Sequence, residues 1–91
     1  MIVRILGEGQ YRLPDDAAQR LNPVDDRVMA AAQARDEAAF RAALGELVEL
    51  VRAGEPVAAE ELHPSDAVIP APDADLAESE RLLSDEGLIP G

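Results

Sequence analysis

The chain has 91 residues, no cysteine, and 19 Asp and Glu against eight Arg and no Lys, for a formal net charge of −11. That length suits one small domain; the charge repels nucleic acid and anionic lipid head groups, and the missing cysteine removes disulfides and thiolate metal sites. Of the 47% apolar residues 17 are alanine, with one Phe, one Tyr and no Trp, so the core is thin and a protein partner is the expected way to complete it.

No apolar run approaches the roughly 20 residues that span a bilayer. The N-terminal stretch, interrupted by Arg4 and Arg12, lacks the continuous apolar core of a signal peptide. The expected location is therefore the cytoplasm, with any membrane contact indirect.

MIVRILGEGQYRL opens the chain. A dinucleotide fingerprint needs glycine at its first, third and sixth positions followed by a helix. Counted from Gly7, the sixth position is Arg12, the residues around it read as strand, and Glu8 is the wrong sign for a phosphate loop. The stretch reads instead as a β-hairpin over residues 1–13 with a three-residue loop, 7–9. In that register Leu6 faces Gln10, Ile5 faces Tyr11, Arg4 faces Arg12 and Val3 faces Leu13. Val3, Ile5, Tyr11 and Leu13 then share one apolar face, whereas a two-residue loop mixes the faces. The register opposes two like charges, Arg4 and Arg12, which calls for an anion between them from this chain or from a partner. Ile2 and Leu6 flank Arg4 on the polar face, so that face is expected to be covered.

A helical hairpin is predicted over 22–53. Asp15 and Asp16 open a short turn ending near Leu21; Asn22 caps a new helix with Pro23 at its first position. Val24, Val28 and Ala31 or Ala32 share a face, and Asp25 and Asp26 read as acids at the positive end of the helix dipole rather than as a metal or acid/base pair. Asp36 caps the second helix, in which Phe40, Ala43, Leu44, Leu47, Val48 and Val51 recur at helical spacing up to Gly54. Leu50 points off the main stripe, toward another surface. Gly45 inside the helix suggests a close backbone approach.

Residues 54–75 hold four of the seven prolines and read as an extended connection. Ala67, Val68 and Ile69, ahead of Pro70, are the candidate for a third strand at a sheet edge. His63, the sole histidine, has no Cys or second His to join it and reads as a surface or loop-packing residue; Ser65 and Asp66 read as turn chemistry. A C-terminal helix is predicted over 76–86, with Asp75 as N-cap, Glu78 completing a capping box, and Gly87 ending it in a Schellman motif that sets Leu88 against Leu83. Leu76, Leu82, Leu83, Leu88 and Ile89 form an apolar patch that docks on the core or serves a partner.

The predicted fold is thus α+β in a single domain, 1–91, with the hairpin packed on a helical hairpin and a short C-terminal helix. No titratable groups have the spacing of acid/base or nucleophilic chemistry, so the expectation is no enzyme, no metal and no cofactor.

MIVRILGEGQYRL, DEAAFRAALGELVELVR, LHPSDAVIPAPDADL and LLSDEGLIPG, in this order, spacing and total length, resemble the PspA-associated proteins called PspAA over nearly the whole chain. The resemblance implies a soluble partner of phage-shock protein A, the coiled-coil, ESCRT-III-like protein that maintains and remodels the cytoplasmic membrane under envelope stress, with an accessory or regulatory role and no catalytic residue set. The leading expectation is a non-enzymatic interaction domain that binds such a protein through residues among Arg4, Arg12, Leu6, Ile2, Leu50, Leu88 and Ile89. An exposed hairpin edge also favours a homodimer. The alternative is a module that senses a small anion with the Arg4 and Arg12 pair.

Overall fold

Along β1 (Ile2–Ile5) buried Val3 and Ile5 alternate with half-buried Ile2 and Arg4, and this period of two defines an inner and an outer face. The computed structural model describes residues 1–61, 63–83 and 87–89. β1 pairs antiparallel with β2 (Gly9–Arg12), Ile2 opposite Arg12, Val3 opposite Tyr11, Arg4 opposite Gln10 and Ile5 opposite Gly9. The loop is therefore Leu6, Gly7 and Glu8, one residue earlier than predicted, and every pair is displaced by two. Two causes are visible. Gly7 takes the left-handed conformation, φ +81°, and the Glu8 N–H closes the turn on the Ile5 carbonyl at 3.0 Å. At the other end this register lets Met1 and Leu13 exchange backbone hydrogen bonds, both 2.8 Å, which the predicted one forbids. A displacement of two leaves the faces unchanged, so Val3, Ile5 and Leu13 are buried and Tyr11 packs against them.

The sheet has four strands in the order β3-β2-β1-β4. β4 (Ala67–Ile69) lies parallel to β1 at one edge and stops at Pro70; β3 (Glu55–Pro56) pairs with β2 at the other.

Two helices cover the inner face. α1 (Ala18–Gln33) follows a 3-10 turn, Asp15–Ala17, and runs through Asn22 and Pro23 without a break, contrary to the predicted cap at Asn22. Ala17, Leu21, Val24, Val28 and Ala31 explain it: their spacing of four, three, four and three is one buried stripe that a new helix at Pro23 would split. Gln19, whose carbonyl has lost its helical donor to Pro23, is exposed to water. α2 (Glu37–Arg52) starts at Asp36, whose carboxylate accepts from the Ala39 N–H at 3.1 Å, and buries all six apolar residues of its predicted stripe. Gly45 has open space where a Cβ would sit, so the close contact predicted there is absent. Gly54 has one instead: a Cβ would stand 2.5 Å from Leu13 Cδ2 and 2.7 Å from the Arg12 carbonyl.

α3 (Leu76–Ser79) has the capping box, Glu78 N–H to Asp75 at 2.8 Å and Asp75 N–H to Glu78 at 3.1 Å, but only four residues of the predicted 76–86. Residues 80–82 form turns, and 84–86, where the predicted helix ended, lie outside the described residues. With α3 ending at Ser79, Gly87 is not its C-terminal cap. The core joins Val3, Ile5 and Ile69 of the sheet to Leu21 and Val28 of α1, to the α2 stripe, and to Leu88 and Ile89.

Candidate functional site

The helices occupy the inner face and β3 and β4 stand at opposite edges, so the connection between them crosses the outer face. It is tied down by buried Gln10, whose side-chain amide donates to the His63 carbonyl at 2.7 Å and to Ser65 Oγ at 2.9 Å. Val57 N–H donates to the Gln10 carbonyl at 3.0 Å, and Ile2 and Asp66 exchange two bonds of 2.7 Å. The predicted cover for Ile2 therefore comes from this chain. His63 has a packing role here, its Nε2 lying 3.3 Å from Arg12 Nη2 and 3.4 Å from Glu61 Oε2.

Arg4 and Arg12 are not directly opposed. Gln10 faces Arg4, and Arg12 faces Ile2 on one side and Glu55 on the other. The displaced register thus removes the reason for an anion shared between the two arginines, on which the sensing alternative rested. Arg12 is exposed and leans on His63; Arg4 is half-buried and, among the described residues, has no side-chain hydrogen bond or ion pair. Arg4 lines a groove of about 460 Å³ between the hairpin tip and the start of the connection, with Gly7, Gly9, Gln10, Val57 and Glu61. Beside it Leu6 is 41% exposed, the one exposed large apolar side chain among the described residues.

The hairpin tip is fastened to α2 from its inner side. Glu8, the last residue of the turn, accepts from Arg52 Nε at 2.9 Å and from Arg52 Nη2, and Tyr11 OH donates to it at 2.6 Å. Arg52 in turn reaches Glu49 at 2.9 Å. Chiefly through Arg52, with help from Tyr11, the Glu8 carboxyl is held down at about 2, and the same bond raises the Tyr11 phenol. Forty-four residues separate Glu8 from Arg52, and no local pattern marks the pair.

Asp25 corrects a second expectation. It is not a helix-terminal acid but lies inside α1, 3% exposed, with both carboxylate oxygens 3.0 Å from the Leu88 N–H and Oδ2 2.9 Å from the Ile89 N–H. Leu88 and Ile89 are consequently buried in the core, at 6% and 3% exposure, and cannot present a surface to a partner. Gly87 makes this possible: its φ is +86°, and a Cβ would stand 2.5 Å from Asp25 Oδ2. Leu50 is half-buried, in a cleft of about 230 Å³ with Leu13, Leu21 and Ala53.

Among the described residues no three His, Cys, Asp or Glu side chains are grouped to hold a metal ion, and no helix is long and apolar enough to cross a membrane. What the outer face offers is recognition chemistry: one unpaired guanidinium, one exposed leucine and a groove. A family model described as PspA-Associated protein matches residues 1–91. No curated protein and no solved structure matches the chain.

Proposed function

The chain belongs to the PspA-associated protein family, and from that membership we propose that it is a non-enzymatic interaction domain, an accessory or regulatory partner of a PspA-like coiled-coil protein in membrane maintenance under envelope stress. The observation that carries the reading is the extent of the family match, residues 1–91. A net charge of −11 disfavours direct adsorption to anionic lipid, so recruitment to the cytoplasmic face of a membrane runs through the partner. The groups with perturbed ionisation, Glu8, Tyr11 and Arg52, hold the hairpin to α2, and of the three only Glu8 reaches the groove, which favours binding over catalysis.

The test is co-purification of the tagged chain with the PspA-like protein of its native cell, followed by sedimentation of that protein with and without an equimolar amount of the chain. Retention of the partner and a changed assembly size are expected. A chain that neither retains the partner nor alters its assembly overturns the reading.

A further inference from the structure

Eight arginines face 19 carboxylates, and among the described residues four of them pair with one. Arg27 pairs with Glu46, Arg35 with Glu80, Arg41 with Glu37 and Arg52 with Glu8, while Arg12 meets His63. Among the described residues Arg4, Arg20 and Arg81 have no such partner, and of these Arg20 and Arg81 are exposed. Arg4 differs. It is half-buried at the wall of the groove, and no counter-charge among the described residues pairs with it. Two carboxylates line the same groove, yet Glu8 is engaged by Arg52 and Tyr11, and Glu61 turns to His63. Two residues on, at the first position of the turn, stands the exposed Leu6, whose backbone N–H still donates to the Ile69 carbonyl of β4 at 3.1 Å. The start of the connection walls the groove that Arg4 lines and leaves Leu6 exposed.

Resting on the partner reading above, we propose that Arg4 and Leu6 form the centre of the docking surface, Arg4 donating to a carboxylate of the partner and Leu6 packing on an apolar side chain beside it. Two residues apart in the chain, their Cα atoms lie at most about 7 Å from each other. An acidic and an apolar residue three or four apart on a helix are separated by about 5 to 6 Å, so a single turn of a partner helix meets both. A free anion engages only the guanidinium and leaves Leu6 in water; a protein segment uses the two together, which is the reason for choosing a macromolecule. Salt weakens such a contact through the charge pair but not through the leucine.

The experiment measures the affinity of the purified PspA-like protein of the native cell for the chain and for Arg4→Ala, Leu6→Ala and Arg81→Ala, with the melting temperature of each as a check on folding. Arg4→Ala and Leu6→Ala are each expected to weaken binding about tenfold or more at an unchanged melting temperature, and Arg81→Ala to leave it unaltered. If the unsubstituted chain binds and both variants bind equally well, the docking surface is wrong while the partner reading stands. If the unsubstituted chain does not bind, the partner reading falls and takes this surface with it. A loss confined to Arg4→Ala, together with a melting temperature that citrate raises in the unsubstituted chain, assigns the cation to a free anion and also overturns the proposal.

Discussion

Asp25 is a charged side chain inside the body of a helix, and its burial is tolerable because two backbone N–H groups of the C-terminal segment are aimed at it. Asp25→Asn keeps the shape but turns an amide NH₂ toward those donors, so a loss of about 2 to 3 kcal/mol is expected in urea unfolding, together with faster amide exchange at Leu88 and Ile89. Glu8 behaves differently because it is a surface group. Its carboxyl titrates near 4.5 when unfolded and at about 2 when folded, so its contribution is complete above the higher value and disappears as the pH falls through that window. Melting temperatures measured from neutral to strongly acid solution should show the gap between the protein and Glu8→Gln narrowing below pH 4.5, with a small gap throughout because the pair is solvated. Neither role was legible locally. Asp25 next to Asp26 near a proline looks like helix-start chemistry, and Glu8 between two glycines looks like a turn and nothing more.

Helical elements were more legible than the hairpin register. The α2 stripe and both caps, Asp36 and Asp75, follow from spacing and from a carboxylate placed to accept an N–H three residues on. Asn22 and Pro23 carry an equally strong local signal for a helix start, and it lost to the continuous stripe from Ala17 to Ala31. This makes a sharp test. If Pro23 is interior, Pro23→Ala restores an N–H to the Gln19 carbonyl and should stabilise the protein by about 1 to 2 kcal/mol, read as a higher urea midpoint at constant slope. At the first position of a new helix the same substitution would gain nothing. The hairpin loop was misplaced by one residue for a related reason: Gly7 and Gly9 both take positive φ, so composition marked the turn without choosing which residues close it.

Across the whole molecule, the arrangement that matters is a short connection forced over the outer sheet face because its two ends join strands at opposite edges. Gln10 fastens it. Gln10→Ala removes both bonds to His63 and Ser65 and should cost about 1 to 2 kcal/mol, with increased amide exchange at Val57 and Asp66, whose partners are on the sheet. The same topology forms the groove that Arg4 shares with Val57 and Glu61, next to the exposed Leu6 of the turn.

Taken alone, the amino-acid sequence determined the class of this protein: two strands with one apolar face, an amphipathic helix ending at a glycine, the capped start but not the length of a C-terminal helix, and an acidic surface, all of which follow from periods and caps that act within a few residues. Only the tertiary structure decided the pairing of Arg4 with Gln10, the continuity of α1, the burial of Asp25 against Leu88 and Ile89, and the path of the connection. The last two depend on groups tens of residues apart, which leave no periodic trace, while the first two turn on competing local signals that only the fit of finished elements decides between.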